Sequence, residues 1–99
     1  MHPPVSPGEI LLEEFMKPLG LSANALALAL RVPATRIGDI IRAENPRGIS
    51  ADTALRLARY FGTSPEFWLN LRSAYDLACE IDAHGDAIER VVQPREVAA

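Results

Sequence analysis

Residues 22–42, SANALALALRVPATRIGDIIR, constrain this chain more than any other stretch, because they hold two short helical patterns with only a tight turn between them. Ser22 is a good N-cap residue, and Leu26 and Leu30 follow four residues apart on one helix face. Arg31–Val32 makes the turn. Pro33–Arg42 then reads as a second helix, with Ile37 and Ile40 or Ile41 facing inward. Ala27 is small enough for the two helices to cross closely, and Val32 plugs the turn.

Around this pair the chain reads as an all-α domain of five helices. Its 99 residues suit one domain spanning the whole chain, with a helical core over about 7–83 and a tail over 84–99. Hydrophobic residues make up 48%, enough for a packed interior. A first helix is expected over Gly8–Lys17, with Ile10, Leu11, Leu12, Phe15 and Met16 on its apolar face and Pro18–Leu19–Gly20 ending it. After the central pair, residues 43–49 carry Asn45–Pro46 and Gly48 and read as a loop. Ser50 caps a fourth helix over Ala51–Phe61, with Ala54, Leu55, Ala58 and Phe61 expected inside and Gly62 as the stop. Ser64–Pro65–Glu66 opens a fifth helix, expected to reach about Ala83, with Gly85 marking its end. A short strand over Glu89–Gln93 is compatible with the tail.

The spacing in residues 22–42 resembles a helix-turn-helix of the phage-repressor (lambda repressor-like) type, which sets its second helix in the DNA major groove. A plain helical hairpin in a small α domain shows the same spacing. The net charge of −3 argues at first against nucleic acid, but its distribution reverses that. Residues 22–60 carry six arginines against three acids, a local +3, while residues 1–21 carry −2 and residues 61–99 carry −4. Phosphate contact needs local positive charge, not a basic whole protein.

On that motif, Ala34 and Thr35 stand at the start of the second helix, where side chains meet base edges; their methyl groups suit thymine. Arg36 reads guanine or clamps a phosphate. Asp39 accepts from a cytosine amino group or holds an arginine in place. Arg42 and Arg47 suit phosphate, which positions without reading sequence. For each arginine the alternative is an ordinary solvated surface charge, and Arg56 and Arg59 read as surface residues or ion-pair partners. In the fifth helix Phe67, Leu71, Ala74, Ala78 and Ile81 recur as a packing seam does, with Trp68 and Tyr75 seven apart beside it. Trp68, Leu71, Tyr75 and Ala78 are the candidate homodimer contacts; covering the domain's own core is the alternative use of that stripe.

With the flanking segments included, the resemblance extends over about residues 7–78. Pro7–Gly8–Glu9–Ile10–Leu11, Pro18–Leu19–Gly20–Leu21–Ser22, Val32–Pro33 with Thr35–Arg36–Ile37, Ala51–Asp52–Thr53–Ala54–Leu55–Arg56–Leu57 and Tyr60–Phe61–Gly62–Thr63–Ser64–Pro65–Glu66–Phe67–Trp68–Leu69–Asn70–Leu71 together resemble the HigA family of antitoxins, in the Xre-type helix-turn-helix class. The resemblance implies a dimeric repressor that binds double-stranded operator DNA of its own operon. It also implies a partner, a HigB-like toxin of the RelE type that cleaves mRNA on the ribosome. Three positions depart from the family pattern. Ala23 stands where glutamine is common and Arg31 where a turn glycine is common, while Gly38 replaces a polar residue within the recognition helix. The loop 43–48 is also longer by about two residues.

Nothing else points to chemistry. His2 and His84 are far apart in sequence, so no metal or other cofactor is expected. Glu13 with Glu14, and Asp82 with Asp86, lack an accompanying nucleophile, so no enzyme is expected. The single cysteine, Cys79, forms no disulfide within the chain and suits a reducing compartment. The opening MHPPVSPGE does not read as a signal peptide, and no apolar run approaches the ~20 residues that span a bilayer. The expectation is a cytoplasmic protein without a membrane partner. A stand-alone repressor with no toxin, and an interaction module with weakened DNA binding, remain open beside the antitoxin.

Overall fold

Serines start four of the five helices in the computed structural model, which describes residues 4–96. Glu9 N–H donates to Ser6 Oγ at 3.2 Å, Ala25 to Ser22 at 3.0 Å, Thr53 to Ser50 at 3.2 Å and Phe67 to Ser64 at 3.1 Å. Each bond satisfies a backbone donor that the first helical turn leaves without a partner. Helix α1 covers residues 7–19 and is followed by α2 (Ala23–Leu30), α3 (Ala34–Ile41), α4 (Ala51–Phe61) and α5 (Pro65–Val91). Among the described residues there is no strand. Gly20 and Gly62 close α1 and α4 in the left-handed conformation, at φ 65° and 74°, where glycine carries no Cβ penalty.

Helix α1 is α-helical over Pro7–Ile10 and Lys17–Leu19 but π-helical over Leu11–Met16. The Lys17 N–H bonds five residues back, to the Leu12 carbonyl. Pro18 follows at once; it has no N–H, and in an ordinary α-helix its ring would crowd the carbonyl four residues before it. The N-terminal end of α1 lies against the end of α3 so closely that a Cβ on Gly8 would overlap the Ile40 carbonyl.

Leu11, Met16, Leu26, Ala27, Leu30, Ile37, Ile40, Ile49, Ala54, Leu57, Ala58 and Trp68 form one buried core drawn from all five helices and the loop before α4. Leu55, expected inside, is 60% exposed, and Leu57 takes the inner position. Leu57 is three residues from Ala54, so the buried line of α4 runs through 53, 54, 57 and 58. Trp68 is fully buried, its Nε1 donating to Thr63 Oγ1 at 2.7 Å, with Phe15 4.9 Å away between ring centroids. It is therefore a core residue and is not available to a second chain.

The last helix is longer than expected. It passes through Gly85 and ends at Val91, so Glu89–Val91 is helical where a strand was compatible with the tail. One glycine costs a helix interior about 1 kcal/mol, which its neighbours can carry. The Glu80–His84 pair at 2.7 Å spans the turn just before it. Val92 is already extended, two residues before Pro94. At ~1.5 Å per residue this helix is ~40 Å long. It draws the molecule out to 56 × 28 × 22 Å, with a radius of gyration of 16.9 Å against ~13 Å for a compact chain of this size. His2 lies outside the described residues.

Candidate nucleic-acid interface

The turn between α2 and α3 is closed by one residue in the left-handed conformation. Arg31 has φ 61° and ψ 45°, so the strain expected for a non-glycine residue there is present. Val32 N–H donates to the Ala27 carbonyl at 3.0 Å. From α4, Arg56 Nη1 donates to the Leu30 carbonyl at 2.8 Å, satisfying an acceptor that the end of α2 leaves open.

Helix α3 begins differently from the others. Pro33 holds its N-cap position and supplies no side-chain acceptor; the Arg36 N–H donates to the Pro33 carbonyl at 3.0 Å, which leaves the N–H groups of Ala34 and Thr35 to face an anion. Both residues are exposed. Ile37 and Ile40 face the core and fix which side of α3 is presented to solvent. Nothing lies within 4 Å of where a Gly38 Cβ would stand.

The charged residues are organised rather than free. Arg36 Nη1 donates to Asp52 Oδ2 at 2.8 Å, and the same oxygen accepts from Arg56 Nε at 3.0 Å. The Arg36 side chain is 28% exposed and that of Asp52 56%. The hydrogen bond from Arg56, reinforced by that from Arg36, holds the Asp52 carboxyl below its usual range. It is therefore ionised throughout neutral pH. Asp39 holds Arg42, with Nη1 to Oδ1 at 3.3 Å, while Arg42 Nε donates to the Asn45 carbonyl at 2.8 Å. The exposed Arg47 lies in the following loop, its backbone N–H on the Asp39 carbonyl at 2.8 Å. Buried Ile49 anchors that loop, and Arg72 of α5 donates to its carbonyl at 3.1 Å.

Of the residues expected to meet DNA, Ala34 and Thr35 thus stand together at the open start of α3. Arg36, Asp39 and Arg42 are engaged in pairs inside the protein, and Arg47 is on the adjoining loop. Sequence reasoning did not single out Asp52. Its signal in the sequence is the Asp52–Arg56 spacing of four on one helix, which marks an ion pair but not the arginine it shares.

On α5 the expected seam divides: Phe67, Ala74 and Ile81 are exposed, while Leu71 and Ala78 are half-buried. Leu71 packs on the core, and Tyr75 lines a hollow of about 380 Å³ with Pro4, Val5, Pro46 and Cys79. Ala78 is half-buried on the same side. At ~100° per residue, Ile81 shares an outer stripe with Leu77, Ile88 and Val91, and all four are exposed. Among the described residues no helix is long and apolar enough to cross a membrane.

A helix-turn-helix family model matches residues 12–68. Virulence-associated protein I of Dichelobacter nodosus is 60% identical over 75 residues, which are 76% of this chain and 68% of that protein. The solved structure of Pseudomonas aeruginosa antitoxin HigA with the higBA promoter is 49% identical, with a TM-score of 0.89 over 94% of this chain and 99% of that one. Antitoxin GraA in complex with its operator is 51% identical, with a TM-score of 0.88 over 99% of this chain and 95% of that one.

Proposed function

From the premise that the chain belongs to the helix-turn-helix family, among the HigA antitoxins, we propose that it is an antitoxin that represses its own operon and neutralises a RelE-like mRNA endonuclease encoded beside it. The observation that carries this reading is the likeness, over nearly the whole chain, to two antitoxins solved on their promoter or operator DNA. The protein acts by binding and not by catalysis. Its place of work is the cytoplasm, where the operator and the ribosome-bound toxin are found.

Helix α3 enters the major groove with Ala34 and Thr35 leading, and the N–H groups of these two residues reach a phosphate. Arg36 and Asp39 follow along the groove, and Arg42 and Arg47 flank it at the backbone. Two copies pair through the outer stripe of α5, Leu77, Ile81, Ile88 and Val91, with the half-buried Leu71, Tyr75 and Ala78 supporting it from within. Pairing places two recognition helices on successive half-sites.

The test separates the two tasks. Ala34→Glu with Thr35→Glu places acids at a helix N-terminus, which favours the helix but repels phosphate. The double variant is expected to fold normally, to release the operator, and still to protect cells expressing the neighbouring toxin. Loss of protection by a folded variant would put the toxin on the α3 face. No protection by the wild type would make the protein a stand-alone repressor.

A further inference from the structure

Among the described residues Asp52 is the one carboxylate that touches two arginines, one on α3 and one on its own helix α4. Its Oδ2 accepts from Arg36 of the recognition helix at 2.8 Å and from Arg56 of its own helix at 3.0 Å. Arg56 continues the chain to the Leu30 carbonyl at 2.8 Å and the Arg31 carbonyl at 3.5 Å. The recognition helix, the strained turn and α4 are thereby joined through one acid at the edge of the face proposed to meet DNA. We infer that Asp52 is a specificity-determining positioning residue, which holds Arg36 back from non-operator phosphates and so weakens binding to DNA of the wrong sequence.

Asp52 and phosphate compete for Arg36. A free arginine at this edge would bind any phosphate it reached, because phosphate contacts carry no sequence information. With Asp52 in place, each such contact must first break a charge-assisted hydrogen bond. Asp52 is exposed and Arg36 partly so, and the restraint is weak enough to yield to a well-placed partner. Arg56 stays engaged by the Leu30 carbonyl whether or not Asp52 is charged, so Arg36 is the cation that Asp52 controls. This inference rests on the reading of α3 as the DNA-binding helix.

The experiment compares wild type, Asp52→Asn, Arg36→Ala and the double variant on the protein's own promoter duplex and on a random duplex of equal length, across a salt series. Asp52→Asn is expected to bind the random duplex about threefold tighter or more, with a log–log salt slope steeper by about 0.9, the mark of one added phosphate contact. Promoter affinity should change less, so the ratio between the two falls. In the Arg36→Ala background the gain should vanish. Asp52→Glu, which keeps the charge, should restore the wild-type ratio.

Unchanged random-duplex binding by Asp52→Asn would overturn the inference. So would a proportional loss on both duplexes, the sign of a merely structural role, or a gain that persists without Arg36, the sign of net charge alone. Urea midpoints of all variants identify any that fail to fold. If Asp52→Asn is among them, Asp52→Ala takes its place: the same gain on the random duplex, dependent on Arg36, upholds the role, and unchanged random-duplex binding overturns it. If the wild type binds neither duplex, the DNA-binding reading itself falls and takes this inference with it.

Discussion

Arg31 and Gly38 hold backbones that would each suit the other's residue type. Arg31 sits at φ 61°, a conformation that glycine adopts freely, and Gly38 sits inside a helix, which glycine weakens. Arg31→Gly is expected to stabilise the fold by about 1 kcal/mol, read from the urea midpoint. A lower midpoint would mean that the arginine's contacts outweigh its strain. Gly38→Ala is expected to add a further ~1 kcal/mol, because the new Cβ meets nothing within 4 Å. That Cβ enters the space where DNA is proposed to lie, so operator affinity should hold level or fall; a clear rise would contradict the placement of α3. Both positions are legible from residue type and spacing alone. The partner of Arg36 is not, because Asp52 lies 16 residues away on a helix whose packing no local pattern encodes.

Helix starts were legible because each depends on two or three adjacent residues, as in Ser50–Ala51–Asp52 or Ser64–Pro65–Glu66. The ends at Gly20 and Gly62 were legible for the same reason. Gly85 looks alike in sequence, but it lies within a run of helix formers with no proline before Pro94, and the helix continues through it. That extension decides the outer stripe of α5. The steps of three and four residues from Phe67 to Ile81 identify a seam but not which way it faces: Leu71 packs on the core while Ile81 stays outside. Leu77→Lys with Ile81→Lys is expected to leave Trp68 emission and helix content unchanged. It should also shift the sedimenting mass at micromolar concentration from two chains to one. A wild type that sediments as one chain, or a double variant that stays paired, would remove this stripe from the dimer. The π-helical stretch in α1 left no trace beyond Pro18, since one proline permits a stop, a kink or a widened turn.

Across the whole molecule, charge and shape divide the same way. The +3 of residues 22–60 falls on α2 to α4 around the recognition helix, while residues 61–99, with −4, form the long arm. A protein of net charge −3 thus carries its positive charge in the helices around the proposed DNA-binding helix and its negative charge on the long arm. The separation was visible in the sequence; the 56 Å length that carries it was not, because it depends on where α5 stops. The most direct test is a titration of the wild-type protein on the duplex immediately upstream of its own gene and on a random duplex, at salt concentrations from about 50 to 200 mM. The upstream duplex is expected to bind at least ~10³-fold tighter, and both affinities to fall steeply as salt rises. Equal affinity for the two duplexes, at any salt, would contradict the proposed function.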